Sequence, residues 1–336
     1  MTDGKLNVTS TKIELDSAAD QYNKIQMANE VVTIGNTTNV TGNVSSATIK
    51  GQGLSMGSLK TATSNATTGF NNEGTISVTG GTATSGIAGM NVSYGTINNG
   101  TSAGSSASVT IDNGAGLYGT NGSKLVNNGK ITVASGAGIA GIGTGRTKQE
   151  YGTDVKTSAS LGGTKTVEIE NHGTINATGT GSIGIYAENN TNAPKANVTV
   201  SSDKQLTVGT DGVGIAVVSA TPTPMLVNHG TSDEGGTITV TAAGTGPDIK
   251  TGVNGKGIYA QNSDITLTGN YIIETPEKGI GIFASGSTNV NGTLEYKYNG
   301  STTGTGMGIV YDSAVTNNAN VKLTNATNTT GGMIGV

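Results

Sequence analysis

The stretch Ile183-Gly184-Ile185-Tyr186-Ala187 contains the pattern that decides the fold of this 336-residue chain. It consists of an apolar residue, Gly, an aliphatic residue, an often aromatic residue and a small residue. The string recurs as Ser85-Gly86-Ile87-Ala88-Gly89, Ala115-Gly116-Leu117-Tyr118-Gly119, Ala137-Gly138-Ile139-Ala140-Gly141, Val213-Gly214-Ile215-Ala216-Val217, Lys256-Gly257-Ile258-Tyr259-Ala260, Ile280-Gly281-Ile282-Phe283-Ala284, Met307-Gly308-Ile309-Val310-Tyr311 and the shortened Ile334-Gly335-Val336. Such recurrence predicts a repeat architecture.

The spacing of this string gives the length of the repeat. From Gly116 onward, its glycines follow at intervals of 22, 46, 30, 43, 24, 27 and 27 residues. We interpret the intervals of 46 and 43 as two periods each. One period is then about 22–30 residues, which is the length of one solenoid coil.

A second string, apolar-x-Asn-x-Gly, precedes the first. Its asparagines are Asn72, Asn127, Asn171 and Asn228. An alternating segment such as Ile131-Thr132-Val133 usually follows, although after Gly230 it is delayed to Ile238-Thr239-Val240. Since each Asn shares a face with the apolar residue two places earlier, the pattern predicts an inward Asn ladder between coils.

Alternation of apolar and polar residues predicts strands. Period-two geometry places Ile183, Ile185 and Ala187 on the inner side and Tyr186 on the outer side. Stacked coils then form one aliphatic core, whose predicted column is Ile87, Leu117, Ile139, Ile185, Ile215, Ile258, Ile282 and Ile309. We therefore predict an all-β fold, a right-handed parallel β-helix (β-solenoid). A β-sandwich, the competing fold, would not keep one residue class in one column.

Two sections of the chain are distinguished. Residues 1–60 match the repeats poorly and are predicted to form an irregular N-terminal beginning of the solenoid, whereas residues 61–336 carry the repeats and end inside one. The only helix-compatible stretch, Ser17 to Val31, lies in the first section. We expect targeting signals to lie outside these residues.

Composition supports a thin core and excludes several classes of function. Gly accounts for 55 residues, hydrophobic residues for 33% and charged residues for 12%, with a net charge of −4. Low net charge and regularly placed Ile and Val argue against disorder. The 18 basic residues form no cluster suited to nucleic acid, and no apolar run could span a bilayer as a helix. The absence of Cys removes disulfides and Cys-based catalytic or metal sites.

Motifs for chemistry are weak. Gly114-x-Gly116-x-x-Gly119 and Gly136-x-Gly138-x-x-Gly141 match the dinucleotide fingerprint, but no helix pattern follows them. The repeats lack the Asp of Ca²⁺-binding coils. His172 and His229 occupy turns where other repeats have Glu or Asn. With no recurring pair of carboxylates either, we predict no catalytic residue, no cofactor and no metal.

Two features suggest ligand contact. One is the outward column next to the core, whose rings are Tyr118, Tyr186, Tyr259 and Phe283; they could stack on sugar rings or on apolar groups of a partner. The bland alternative is that these rings only pack against each other. The other is the charged insertion 145–156, where Arg146, Lys148 and Tyr151 are the candidates, although the insertion could simply be tolerated.

The run Ile183-Gly184-Ile185-Tyr186-Ala187, with Asn171-His172-Gly173-Thr174-Ile175 before it, resembles the passenger repeats of type V autotransporters, especially large fusobacterial adhesins of the RadD kind. The resemblance covers roughly residues 70–336. It implies a β-helical passenger on the bacterial surface, anchored in the outer membrane by a C-terminal barrel that is not among these residues. No family binding residue has a local motif to match here.

The resulting hypotheses belong to different classes. The first is an adhesin stalk or binding segment that contacts a protein or glycan on a bacterial or host cell. The second is a passenger that self-associates and clumps like cells, and the third is a β-helix enzyme that cleaves polysaccharide. We favour the first, as a monomer that neither binds nucleic acid nor inserts into the membrane.

Overall fold

The computed structural model describes residues 5–8, 12–16, 24–28, 31–34, 39–44, 53–57, 69–80, 88–93, 96–120, 123–143, 167–189, 198–219, 236–244, 246–286, 288–300, 304–312, 315–325 and 332–334. The strands are β1 (Lys5–Val8), β2 (Lys12–Asp16), β3 (Lys24–Ala28), β4 (Val31–Ile34), β5 (Asn39–Val44), β6 (Gly53–Gly57), β7 (Gly69–Asn72), β8 (Thr75–Gly80), β9 (Ala88–Ser93), β10 (Thr96–Asn99), β11 (Ser108–Thr120), β12 (Lys124–Asn127), β13 (Lys130–Gly143), β14 (Val167–Asn171), β15 (Thr174–Ala177), β16 (Ile183–Asn189), β17 (Val198–Ser202), β18 (Leu206–Val208), β19 (Val213–Ser219), β20 (Gly236–Thr241), β21 (Ile249–Lys250), β22 (Lys256–Gln261), β23 (Ser263–Thr275), β24 (Ile280–Ser285), β25 (Thr288–Tyr298), β26 (Thr305–Asp312), β27 (Val315–Asn325) and β28 (Gly332–Ile334). This part of the chain is all-β, and it contains no helix long and apolar enough to cross a membrane.

All strand pairings are parallel, and they form three columns. The first column stacks β1, β4, β7, β10, β12, β14, β17, β20 and the first parts of β23, β25 and β27. The second stacks β2, β5, β8, the first parts of β11 and β13, β15, β18, β21 and the second parts of β23, β25 and β27. The third stacks β3, β6, β9, the second parts of β11 and β13, β16, β19, β22, β24, β26 and β28.

We call one strand from each column, in chain order, a level. Long parallel stacking of many strands is consistent with a β-solenoid. The division at residue 60 stays a prediction, although β1–β6 pair into the same columns as later strands. Within the helix-compatible stretch, Lys24–Ala28 is strand β3 and not helix.

The intervals of 46 and 43 residues are single steps between neighbouring levels, which corrects the interpretation of two periods each. Ile139 pairs directly with Ile185, 46 residues later, and Ile215 pairs directly with Ile258, 43 residues later. These steps include residues 144–166 and 220–235, which lie outside the described residues. The spacing misled because stacked strands need a constant register but not connections of constant length.

The aliphatic column of the third column of strands is buried, as predicted. Its residues from Leu117 to Ile309 are at most 1% exposed and belong to one continuous core. One assignment was wrong: Met90, not Ile87, pairs with Leu117, and Met90 is fully buried. The repeat string here is therefore Ala88-Gly89-Met90, which the more regular-looking Ser85-Gly86-Ile87 obscured.

The glycine of the string also points inward. A Cβ added at Gly184 would lie 2.5 Å from the carbonyl oxygen of Gly214, and one added at Gly214 would lie 2.6 Å from a side-chain carbon of Ile249 in the second column. No larger residue fits between the columns at this position. Because Gly184 takes the inner side, the preceding Ile183 is half-buried on the outer side, and its predicted inward position was wrong.

The Asn ladder is confirmed for Asn72, Asn127 and Asn171, and it contains one further member between the first two. Each amide nitrogen donates to the next level: Asn72 to Asn99 at 2.8 Å, Asn99 to Asn127 at 2.8 Å, Asn127 to Asn171 at 2.8 Å, and Asn171 to the hydroxyl of Ser202 at 3.0 Å. All four asparagines are fully buried. Asn99 was not among the predicted members, and Asn228 lies outside the described residues.

The segment Ile238-Thr239-Val240 belongs to a different column from its supposed equivalents. It lies in β20 of the first column and pairs with Val200-Ser201-Ser202, whereas Ile131-Thr132-Val133 lies in the second column. In the first column Val240 takes the place that Ser202 and the asparagines hold at earlier levels. The polar ladder therefore gives way to an apolar position.

Candidate functional site

The outer side of the third column brings the predicted aromatic residues into one line. Strand register places, in successive levels, Tyr118, Ala140, Tyr186, Ala216, Tyr259, Phe283 and Val310. We call this line the aromatic track. The four predicted rings are half-buried, so each presents part of its surface outward. Whether they bind a ligand stays a prediction.

Large and small residues alternate along the first half of the aromatic track. Ala140 separates Tyr118 from Tyr186, and Ala216 separates Tyr186 from Tyr259. These rings therefore recur at every second level, about 9.6 Å apart for strands spaced about 4.8 Å. The two alanines are only 7% and 4% exposed, so they form the floors of narrow notches between rings.

At the far end of the track the rings touch. Tyr259 and Phe283 occupy neighbouring levels and stack in parallel, with centroids 5.4 Å apart and an interplanar angle of 4°. Ring-to-ring packing, the alternative given for the aromatic column, is therefore observed for this pair. Stacking of this kind fixes the rings as rigid surface features.

A hydrogen bond orients the central ring. The Tyr186 hydroxyl donates to a carboxylate oxygen of Glu188 at 2.7 Å, two residues along the same strand. Burial and this carboxylate raise the pKa of Tyr186 well above its ordinary value. The phenol therefore stays protonated at physiological pH, and the ring leans along the strand rather than up the stack.

Two further tracks flank the aromatic track. On the side before the glycine, the apolar track consists of Ala115, Ala137, Ile183, Val213, Lys256, Ile280 and Met307. On the other side, the mixed track consists of Ile142, Glu188, Val218, Gln261, Ser285 and Asp312. All but Ala115 and Asp312 are half-buried. The outer side of the third column is thus predominantly apolar.

The apolar track was missed by sequence reasoning, which placed Ile183 inside. The sequence did contain a signal. The position of Ile183 is occupied by Lys256 in one repeat and by Ala137 in another, whereas the core column holds only aliphatic residues. A charged residue that recurs in register with Ile and Val indicates an outward position.

The other predicted ligand residues, Arg146, Lys148 and Tyr151, lie outside the described residues. Strand β13 ends at Gly143 in the third column, and β14 begins at Val167 in the first. The structure therefore places the four rings together but says nothing of the second group.

A charged cluster lies on the first column. Lys124 contacts Glu170 at 2.6 Å, and Nδ1 of His172 lies 3.0 Å from Asp203. All four side chains are about one third exposed. Half-exposed pairs like these typically contribute at most about 1 kcal/mol. Among the described residues no group of three potential metal ligands occurs, and His229 lies outside them.

Two buried carboxyls were not anticipated. Asp248, 2% exposed, accepts the backbone N–H groups of Ala243 and Ile272 at 2.6 Å each, and burial raises its pKa. Glu295, 5% exposed, accepts from the Asn270 amide at 2.7 Å, which lowers its pKa. Each holds neighbouring levels together. Since both are closed off from solvent, a large ligand cannot reach them.

The dinucleotide-like glycines lie within strands. Gly114, with φ of 126°, and Gly136, also 126°, are paired where β11 and β13 pass from the second column to the third. A phosphate-binding fingerprint requires a helix to open at this point, and here strand continues instead. The positive φ explains the glycine at both positions.

Comparison of the chain with protein-family models, with curated proteins and with solved structures finds no match. The function is therefore inferred from the fold and from the outer side of the third column.

Proposed function

We propose that this chain is an extended adhesin segment of a surface-displayed autotransporter passenger, and that it adheres through the outer side of the third column. One observation carries the proposal. The aromatic, apolar and mixed tracks form an apolar surface that continues over consecutive levels, although stacking of the levels does not require apolar residues there. Contiguous apolar surfaces that keep some contact with solvent mark interaction sites when they are large.

The architecture suits an extended display element. The three columns are proposed to close into a right-handed parallel β-helix, since crossovers between parallel strands are right-handed in about 98% of cases. Eleven described levels at about 4.8 Å each give a rod of about 50 Å. Each level is buried only by its neighbours, so length can grow without a thicker core.

Surface display is supported by composition and resemblance. The chain lacks Cys, so no disulfide could form during passage through an oxidising compartment. Its repeats resemble autotransporter passengers, which implies an extracellular location and an outer-membrane anchor outside these residues. Adhesion then requires contact residues on the outer surface of the rod.

The rings suit that role energetically. Tyrosine is enriched among the few residues that dominate binding energy at protein interfaces. Tyr186 and Tyr259 are held rigidly, the first by Glu188 and the second by Phe283. Rigid rings lose little conformational entropy on binding, so most of the favourable contact energy remains in the free energy of binding.

Binding of the purified chain to intact bacterial and host cells tests the proposal, with and without sugar and amino-acid competitors. The double variant Tyr186→Ala/Tyr259→Ala should weaken binding about tenfold or more, as expected for loss of two central aromatic anchors. The fold should survive, because Ala140 and Ala216 occupy the same track. Arg146→Ala tests the alternative contact.

The matched control is Thr199→Ala/Thr239→Ala, on the outer side of the first column. It should leave binding unchanged. If the aromatic variant binds cells as well as the parent chain does, the third column is not the adhesive surface. If the parent chain binds no cell type, the adhesin proposal fails for these residues.

A further inference from the structure

We infer that the occupant of the outer third-column surface is a second copy of this chain, packed side by side with its stack axis reversed. The inference rests on the proposed adhesive function and specifies the partner. It is carried by the alternation of Tyr and Ala along the aromatic track, which becomes complementary to itself when the stack axis of one copy is reversed.

Consider a two-fold axis that runs along the strands, midway between the levels of Tyr186 and Ala216. Such an axis brings Tyr186 of one copy over Ala216 of the other, and Ala140 over Tyr259. Tyr186 and Tyr259 then each enter a notch whose floor is an alanine, and Tyr118 faces Phe283 at the two ends of the contact. Since a two-fold interface uses every contact twice, four ring-on-alanine contacts result.

The flanking tracks are compatible with the same axis. It places Ile183 opposite Val213 in the apolar track, and Lys256 opposite Ala137. In the mixed track Glu188 faces Val218. No two like charges face each other among these positions, so the contact avoids the repulsion that normally opposes association of identical surfaces.

The competing arrangement, with the two stack axes parallel, fits less well. There each residue of the aromatic track faces its own copy: Tyr186 would meet Tyr186, and Ala216 would meet Ala216. Rings would collide at one level and leave a void at the next. Complementary packing at an interface core matches that of protein interiors, and the reversed arrangement provides it over the four central levels.

The available area is sufficient for a weak contact. Six overlapping levels at about 4.8 Å and five strand residues at about 3.3 Å give a surface of about 29 by 17 Å per copy. Two such surfaces bury about 1,000 Å² in total, the lower bound for a specific interface. The chain is therefore a monomer in dilute solution and pairs where many copies are held close together.

The composition of the surface favours a protein over a glycan. Sugar recognition requires hydrogen-bond donors and acceptors placed around the rings for the hydroxyl groups. Here aliphatic residues such as Ile183, Val213 and Val218 flank Tyr186, and its own hydroxyl already donates to Glu188. An equally apolar surface is the better complement.

Exchanging the ring at position 186 and the alanine at position 216 tests the inference. Dimerisation is measured by sedimentation equilibrium at micromolar to millimolar protein concentrations. Ala216→Tyr puts ring against ring at the centre and should weaken dimerisation at least about tenfold, as overpacking typically does. The double variant Tyr186→Ala/Ala216→Tyr restores ring against alanine and should recover dimerisation. A merely structural role for either residue predicts no such rescue.

Cross-linking tests the orientation, because the chain has no cysteine of its own. Ile142 of one copy should face Gln261 of the other in the reversed arrangement. Mixing Ile142→Cys protein with Gln261→Cys protein and a short bismaleimide should give a cross-linked dimer, and neither protein should do so alone. Mixing Ile142→Cys with Ala137→Cys gives the dimer only in the parallel arrangement.

The outcomes separate this inference from the proposed function. The inference is overturned if the chain stays monomeric up to millimolar concentration. It is also overturned if Ala216→Tyr protein binds cells more tightly than the parent chain and sugars compete with that binding. If that monomer still binds cells that do not display this chain, the adhesin proposal stands alone. Binding restricted to cells that display the chain, lost in Ala216→Tyr and regained in the double variant, supports both.

Discussion

The outer sides of the first and third columns differ, although both belong to the same stacked levels. On the first column, β20 presents Thr237, Thr239 and Thr241, all exposed, and the strands that pair with it present Thr, Ser and Asp at the matching positions. On the third column, β22 presents Tyr259 at the same level, and β19 presents Val213 and Ala216 at the preceding level, all shielded more deeply. Stacking determines the inner residues of both columns and leaves the outer ones free.

A free position is informative because nothing in the fold dictates its residue. Threonine on an outer sheet surface suits strand geometry and water together. Tyrosine, valine and isoleucine there suit the strand equally well but cost solubility. Their concentration on one of the columns is the observation behind the proposed contact surface, and the first column serves as an internal reference.

The largest effect should come from the inner side of the third column. Ile258→Asp places an unpaired charge in a fully buried position, which costs several kcal/mol or more. Several neighbouring levels should unfold, seen as loss of the β signal in circular dichroism and a lower Tm. Tyr259→Ala, one residue away on the outer side, should change Tm by only a few degrees.

Thr132→Asp, outward in the second column, is the charge-matched control and should have little effect. If Ile258→Asp and Thr132→Asp melt alike, the assignment of inner and outer sides is wrong.

A smaller loss of stability should follow from interrupting the buried Asn ladder on the inner side of the first column. Asn127→Ala removes the bonds to Asn99 and Asn171 and leaves their amides with unpaired groups, at a cost of about 2–3 kcal/mol. The outward counterpart is Asn98, whose amide donates to Asn71 at 2.7 Å in a half-buried pair. Asn98→Ala should cost less than about 1 kcal/mol, and equal losses in urea unfolding would contradict the ladder's role.

Sequence reasoning reached the fold through its strongest regularity. Only the inner aliphatic column is under a strict packing requirement, so Leu117 to Ile309 could be identified from the sequence alone. Positions beside the glycine could not be, because period-two alternation breaks where Gly184 and Ile185 both lie inside. Met90 was missed because the string is degenerate there, and level spacing was misjudged because connection lengths vary.

The candidate site was predictable in part for the same reason. The aromatic track follows directly from its position after the core column, and the register brings its four rings into line. Its aliphatic neighbours depend on the local reversal at the glycine, which no simple alternation contains. The buried carboxyls Asp248 and Glu295 depend on contacts with residues distant in sequence, such as Thr324.

An outward residue of the second column can also be buried by polar partners, and pH should reveal it. Glu295 contacts Asn270, Thr324 and Lys322, and the first of these contributes most to lowering its pKa below the ordinary 4.5. Its folded pKa is depressed, so its stabilisation is present above pH 4.5 and is lost as the pH falls through the folded pKa.

Glu295→Gln should therefore lower the free energy of unfolding by about 1 kcal/mol at neutral pH. Urea unfolding at several pH values should show this difference shrinking below pH 4.5. A difference that grows in acid would mean that the carboxyl is protonated in the folded chain at neutral pH.

The smallest effect on stability should come from making the two outer surfaces alike. Ile183→Thr and Val213→Thr replace half-buried residues of the apolar track by the residue typical of the first column. The free energy of unfolding should change by less than about 1 kcal/mol, whereas binding of a hydrophobic dye should fall. Thr237→Ala is the control. A large loss of stability would show that the apolar track belongs to the core.

The uneven sequence separation of paired strands has a mechanical consequence. Hydrogen bonds between parallel strands run along the stack, so tension on the two ends of the rod loads the levels in series and peels them from an end. Steps of 22 to 46 residues between levels release about 70–165 Å of extended chain for each folded rise of about 4.8 Å. Under the proposed adhesive function, a cell bound by this chain would be held by a tether that lengthens in unequal steps under flow, and among the described levels the longest step lies between Ile139 and Ile185.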